Sequence, residues 1–285
     1  MKYDTLVVHG CSFLTIPFEE ENINRKGVNF DLIKQSLPKE YHHLNINRKF
    51  IKSREPGIYK KMYHSHHILR EYVFSIRLGK KLGCDVQNLS KPGANNQQMI
   101  RRLYEWINEM DKEDKTLIIL GLTDISRFEI WDSIRNSHLS ITVDLDCSGD
   151  ISLNDELKRH FEFHYKNLYS DEERIKSLQR ELEMFQSYCN ERNIDIIFFG
   201  SLFGDNKHWE INPDSWRRGL KFRKKGYTDN FNIDKLNYYV FPNGITDWRN
   251  YIYSQDKKYA YGHPMAKDHE DLADLFYDYI SENLL

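Results

Sequence analysis

"VVHGCSFL", residues 7–14, decides how the rest of the chain is read. Two β-branched residues lead into Gly10, Cys11, Ser12 and Phe13. β-branched residues suit a strand, and a glycine frees the backbone for a sharp exit. A tight turn after a buried first strand, with Ser12 capping the next helix, accounts for the stretch. So does a hydroxyl held at a strand's carboxyl end, where open α/β sheets place their chemistry. The surrounding pattern has to choose between the two.

Working outward, residues 5–13 read as a buried strand. The spacing of Ile68, Leu69, Tyr72, Val73 and Ile76 predicts a helix over 66–82, stopped at Gly83. "CDVQNLS", 84–90, is a short strand, and "KPGANN" is a loop by its Pro and Gly. A second helix is expected over about 96–110, on the stripe Met99, Ile100, Leu103, Trp106, Ile107 and Met110. "TLIILGLT", 116–123, is almost continuously apolar, the mark of a strand covered on both faces. Residues 124–170 show no regular period. The strongest helix signal spans 171–192, with Ser170 and Glu173 as a capping box and Ile175, Leu178, Leu182 and Phe185 as its stripe. "DIIFFGSLF", 195–203, is another buried strand, and a last helix is expected over about 269–283. Strand and helix alternate, so the sheet should be parallel with helices on both faces. Two long stretches, about 17–64 and 204–262, read as irregular insertions into one domain spanning 1–285.

Composition narrows the function classes. The chain has 285 residues, 40% hydrophobic and 29% charged, with a formal net charge of −2. That balance offers no global field for nucleic acid or a membrane. Cys11, Cys84, Cys147 and Cys189 are widely spaced with no C-x-x-C pair, which argues against a zinc knuckle or disulfide framework and suits a reducing, cytoplasmic setting. No apolar run has the length of a signal-peptide core or a membrane span. The aromatic content, 14%, is high and sits largely outside the clearest strands. It implies loop-packed aromatic clusters or a ligand surface.

Each expected strand ends in small or polar residues: Gly10-Cys11-Ser12, then Asn88 with Gly93 soon after, then Gly121-Leu122-Thr123-Asp124. His263 and His269 lie just before the last helix, in "YGHPMAKDH". Carboxyl ends of a doubly wound sheet gather along one edge, so Ser, Gly, Thr and His should share a cleft. Acyl transfer uses that set. A serine hydroxyl is a weak nucleophile until an imidazole takes its proton, and the developing oxyanion needs preorganised donors.

On these residues the chain resembles the SGNH (GDSL-type) hydrolases, and most of all their divergent bacteriophage and bacterial members. Gly10-Cys11-Ser12 matches the Gly-Asp-Ser block, with Cys11 in place of Asp. "NLSKPGANNQQMIRRL" resembles the second block through Gly93, and Gly121-Leu122-Thr123-Asp124 the Gly-x-Asn-Asp block, with Thr123 for Asn. His263-Pro264 matches the last block, but Ala260 stands where its Asp belongs. The resemblance implies a flavodoxin-like three-layer α/β/α sandwich. It implies catalysis by Ser12 and His263, and an oxyanion hole from Ser12, Gly93 and Thr123. It implies an ester substrate, a small carboxyl ester or an O-acetyl group on a carbohydrate, and no cofactor or metal. Asp256 and Asp268 are the nearest acids by sequence to replace the missing Asp. The two departures are the evidence for the alternative, a catalytically degenerate binding or structural protein of the same family.

Other clusters have plainer readings. His42, His43, His64, His66 and His67 are ligand types without a carboxylate or Cys at diagnostic spacing, so a solvated helix entry suits them better than a metal. "WRRGLKFRKKGY", 216–227, interleaves six basic residues with aromatics; it reads as a solvated loop or a grip for phosphate, nucleic acid or an acidic glycan. Trp209, Trp216 and Trp248 are candidates to stack on sugar rings, and His269 reads as a surface residue at a helix start.

Overall fold

A computed structural model describes residues 2–10, 39, 73–91, 93–110, 114–132, 137–141, 159, 163–164, 167–203, 231–255, 264 and 266–285. Ser12, His263, Cys11, Asp256, Ala260, the His42–His67 cluster, the 216–227 loop, Trp209 and Trp216 lie outside these residues.

Four parallel strands form the sheet: β1 (Thr5–His9), β2 (Asp85–Asn88), β3 (Thr116–Leu122) and, after a hairpin, β6 (Asp195–Gly200). Their order is β2-β1-β3-β6. The helices are α1 (Phe74–Leu82), α2 (Asn96–Glu109), α3 (Asp171–Glu191), α4 (Trp248–Ser254) and α5 (Ala266–Asn283). Period-two alternation sends Ile118, Leu120 and Leu122 of β3 into a core with α2 and α3, and Leu117 and Ile119 into a second core with α1, α4 and α5. Every residue of β3 is buried, so both faces must be covered. The result is a flavodoxin-like three-layer α/β/α sandwich, as the alternation of elements implies.

Helix α3 shows why the local signals worked. Ile175, Leu178, Leu182, Phe185 and Cys189 all face the core. The Ser170 hydroxyl accepts the Glu173 N–H at 3.3 Å, and three acids in the first turn complement the helix dipole. The stretch 124–170, read as aperiodic, contains an antiparallel hairpin of β4 (Phe128–Asp132) and β5 (Ser137–Ile141). It pairs with no other strand among the described residues, and its outer face carries Trp131 with His138 edge-on at 4.9 Å. Its two short strands, FEIWD and SHLSI, lack the strong apolar alternation that announces a strand.

Residues 231–255 fall inside the stretch 204–262 and send Phe231, Leu236, Tyr238, Tyr239, Phe241, Trp248 and Ile252 into the core. Tyr238 bridges in parallel to Phe198 of β6, and Asp247 to Gly200. Tyr238 points into one core and Tyr239 into the other, as neighbours in a strand would. The segment thereby caps the open edge of β6. Phe203, Phe231 and Tyr238 chain edge-to-face on one side. Tyr239, Phe241, Phe199, Phe276 and Phe74 do so on the other. Much of the aromatic excess is therefore structural packing. Trp248 belongs to it, at 1% exposure, and so is not a sugar-stacking platform.

Gly200 sits where this segment presses on the sheet. A Cβ there would lie 2.6 Å from the Thr246 carbonyl oxygen and 3.1 Å from the Asp247 Cα. The obstruction is backbone and cannot rotate away. Gly200→Ala should cost about 1–3 kcal/mol, as overpacking does. Thermal unfolding should show a fall of roughly 2–4 °C per kcal/mol for a chain of this size. An unchanged Tm would mean that residues 246–247 do not hold this position.

Candidate active site

The order β2-β1-β3-β6 contains a switch point. From β1 the chain crosses to β2 on one side; from β3 it crosses to β6 on the other. The loops leaving β1 and β3 therefore part company, and open α/β sheets bind ligands in the crevice so formed. Gly10 follows β1, and Thr123 follows β3.

Backbone hydrogen bonds bring the second loop to the same place. The Leu89 N–H donates to the Val8 carbonyl at 2.8 Å, and the Lys91 N–H to the Gly10 carbonyl at 3.1 Å. Pairing between the first two strands thus runs on past their ends. The Ala94 N–H then closes a turn on the Lys91 carbonyl at 3.1 Å, with Gly93 at φ 69°. That left-handed backbone is where glycine is needed. Gly93 accordingly lies two residues beyond the contact with Gly10, and Gly10 lies two residues before Ser12.

Thr123 is fixed by a clamp that sequence reasoning missed. The Asn96 side chain accepts the Thr123 N–H at 2.9 Å and donates its amide to the Thr123 carbonyl at 2.8 Å. Both residues are buried. With its backbone satisfied, Thr123 keeps one unspent group: the Oγ1 hydroxyl, buried and without a hydrogen-bond partner among the described residues. Asn95 caps α2 by accepting the Gln98 N–H at 2.8 Å, which holds Asn96 at the helix start. "ANN" read as loop; only the fold shows that its second Asn braces β3. The next carboxylate, Asp124, accepts the Ser126 N–H at 2.8 Å and shapes the turn beyond.

His269 departs from the reading as a surface residue. It is fully buried, its Nδ1 accepts the Phe74 N–H at 3.2 Å, and its ring meets Trp248 edge-on at 5.3 Å. The Phe74 N–H is one of the orphan donors of the first turn of α1. Val73, at the N-cap position, supplies no side-chain cap, so the imidazole caps the helix from 195 residues away. This is a structural task that occupies the lone pair a general base would need. Asp268 beside it is also buried, as is Pro264.

His9 is the other buried histidine among the described residues, on the α2 side of the sheet's carboxyl edge. Burial, and next the charge of Arg102, lower its pKa from 6.5 to about 3. Neither ring nitrogen meets a well-aligned partner among the described residues, and a weak pull from the Gly10 backbone is the opposing influence. The imidazole is neutral at physiological pH. Among the described residues no helix is long and apolar enough to cross a membrane.

No family model matches the chain, and no curated protein matches it significantly. Among solved structures it is similar to the psychrotrophic esterase EstA from Pseudoalteromonas sp., at 13% identity and a TM-score of 0.43 over 98% of this chain and 97% of that one. It is similar to the acetyl xylan esterase Est2A of the rumen bacterium Butyrivibrio proteoclasticus, at 12% identity and a TM-score of 0.42 over 98% and 64%. A carbohydrate esterase described as having divergent catalytic and non-catalytic binding functions matches at 14% and 0.43 over 98% and 69%. At these TM-scores the likenesses add nothing to the topology that the sheet itself establishes.

Two measurements test the geometry. Asn96→Ala strips both partners from the buried Thr123 backbone. Each unmade bond costs about 1–3 kcal/mol, so urea unfolding should show a loss of at least ~2 kcal/mol; a near-neutral result would dissolve the clamp. For His9 the sign comes from a folded pKa below the unfolded one. Below pH 6.5 the unfolded chain takes up a proton that the folded chain refuses, so stability falls with pH down to about 3. Going from pH 7.5 to 5, His9→Leu should gain about 2 kcal/mol relative to the parent. Parallel pH profiles for the two proteins would show that His9 is not held neutral.

Proposed function

We propose that the chain is a serine ester hydrolase of the SGNH type, its activity carried by one domain spanning 1–285. Ser12 Oγ attacks the ester carbonyl while His263 takes its proton. The Ser12 and Gly93 N–H groups and the Thr123 hydroxyl receive the oxyanion. His263 then returns the proton to the leaving alcohol, and water hydrolyses the acyl-enzyme by the same steps. The substrate is a small or carbohydrate ester, with an O-acetyl group as the simplest acyl part.

One observation supports this reading above the rest. At the switch point the Lys91 N–H is bonded to the Gly10 carbonyl, two residues short of Ser12 in sequence, and the Asn96 amide clamps the Thr123 backbone. The Thr123 hydroxyl is buried there with no partner among the described residues, as suits a donor kept for a ligand. A backbone-fixed donor loses little entropy and needs little reorganisation when charge develops. His269, already engaged as a cap, leaves His263 as the base.

A fluorophosphonate probe should label wild-type protein and spare Ser12→Ala. On one activated acetyl ester, Ser12→Ala and His263→Ala should each lose most activity, and the double variant should be little worse, because such groups act as a unit. Thr123→Val should cost about 10²–10³ in rate, the usual effect of one oxyanion donor. His269→Ala should lower the Tm instead. Full activity in His263→Ala refutes the dyad; absent labelling of the folded wild type favours a catalytically degenerate binding protein.

A further inference from the structure

His9 is the last residue of β1, and its imidazole is fully buried. Val7, two residues earlier, belongs to the core shared with α2 and α3, so alternation sends His9 to the same side. Leu120 stands opposite it on β3, and the Leu89 N–H on the Val8 carbonyl sets Leu89 at its other flank. Its neighbours across the sheet are therefore apolar. Neither ring nitrogen has a well-aligned hydrogen-bond partner among the described residues.

That arrangement works against stability. A neutral imidazole has one N–H to donate and one lone pair to fill, and burial without partners forfeits both bonds to water. An apolar side chain of the same shape avoids that cost. His269 shows the ordinary solution, since its Nδ1 takes the Phe74 N–H and caps a helix. No such task falls to His9 among the described residues. A polar side chain kept in a core against stability is the pattern of a functional position.

Two neighbours indicate the task. The Gly10 backbone favours a proton on the ring, as a carbonyl does and an N–H does not, so an imidazole nitrogen faces the Gly10 carbonyl. That carbonyl already accepts the Lys91 N–H at 3.1 Å and has a second lone pair to offer. Arg102, which donates to the Leu89 carbonyl at 3.4 Å, opposes a second proton on the ring by its charge. The imidazole thus stays neutral, with its one N–H toward Gly10.

We propose that His9 is a positioning residue whose ring N–H is the second donor to the Gly10 carbonyl, fixing the peptide from which the chain runs on to Ser12. The inference rests on the esterase reading. Gly10 lies two residues before Ser12 in sequence, so the lever is short and covalent. Such positioning acts on the chemical step more than on substrate binding, because a small misplacement of a reacting group costs rate.

NMR of the isotope-labelled full chain tests the contact without reference to activity. From about pH 5 to 8 the His9 ring should hold one neutral tautomer, its N–H slow to exchange with water, and the Gly10 carbonyl resonance should move in His9→Leu. Two tautomers in exchange, or a ring that titrates near ~6.5, overturns the inference. His9→Leu should match or exceed the wild-type Tm, yet lose at least about ten-fold in kcat and in fluorophosphonate labelling rate, with KM little changed. His9→Asn places an amide donor near the Nδ1 position and His9→Gln near the Nε2 position; the one that matches the observed tautomer should recover most of the rate. A merely packed imidazole predicts the reverse: a lower Tm, an unaltered kcat and no difference between the two amides. Should His9→Leu fail to fold, the wild-type tautomer and the amide variants decide. A wild type that neither labels nor hydrolyses any ester sinks the esterase reading alone, and the NMR result then decides the Gly10 contact. Full hydrolysis by His9→Leu sinks this inference alone.

Discussion

Strand β3 has no face to offer water, and the rest of the molecule is arranged around that constraint. Leu117, Ile118, Ile119 and Leu120 are each fully buried, and burial of such a side chain is worth about 1.5–3 kcal/mol. Helices must therefore lie on both sides of the sheet. With β1 and β6 as its neighbours, β3 sends the chain away from β1, and the two loops separate above the strands. The resulting crevice is a consequence of topology before any side chain is chosen to fill it. Burying a strand on both faces and parting the loops at its carboxyl end are one structural decision.

The crevice that topology opens is then fixed by hydrogen bonds. Loops at a sheet edge carry backbone groups that burial would leave unsatisfied. Here they are met by each other: Gly10 by Lys91, Thr123 by Asn96, Leu122 by Ser201 and Leu202, Phe203 by Asp247. The Asp247 carboxylate also accepts the Asn250 N–H, so one residue caps α4 and pins the loop after β6. Each strand end is tied to a neighbouring loop, and the edge is held without metal or disulfide among these contacts.

Legibility tracked the range of the interaction. The periodic signals of α2, α3 and β3 arise from cores that each element meets with one face or two, so the sequence declares them. The Ser170 cap spans three residues and could be read directly. The burial of residues 231–255 could not, because their partners are in β6 and α5 and their own spacing is irregular. His269 failed for the same reason: its partner is the amide of Phe74, and no local pattern marks an imidazole as a cap for a helix so distant in sequence. Asn96 was invisible because Asn is a common loop residue, and only the tertiary fold places its amide against both polar groups of Thr123. The Ser12–His263 pairing rests on short blocks in order, and sequence alone carries it.

Asn96 also shows how a single side chain can fix a strand end. Its amide group is spent on both polar groups of the Thr123 backbone, so the hydroxyl is the one polar group of Thr123 left without a partner among the described residues. The clamp is rigid, because both ends of the amide are engaged and the residue sits at the start of a capped helix. A hydroxyl donor held on so fixed a backbone needs little reorganisation when a ligand arrives, so most of the ordering cost falls on the ligand and little on the protein.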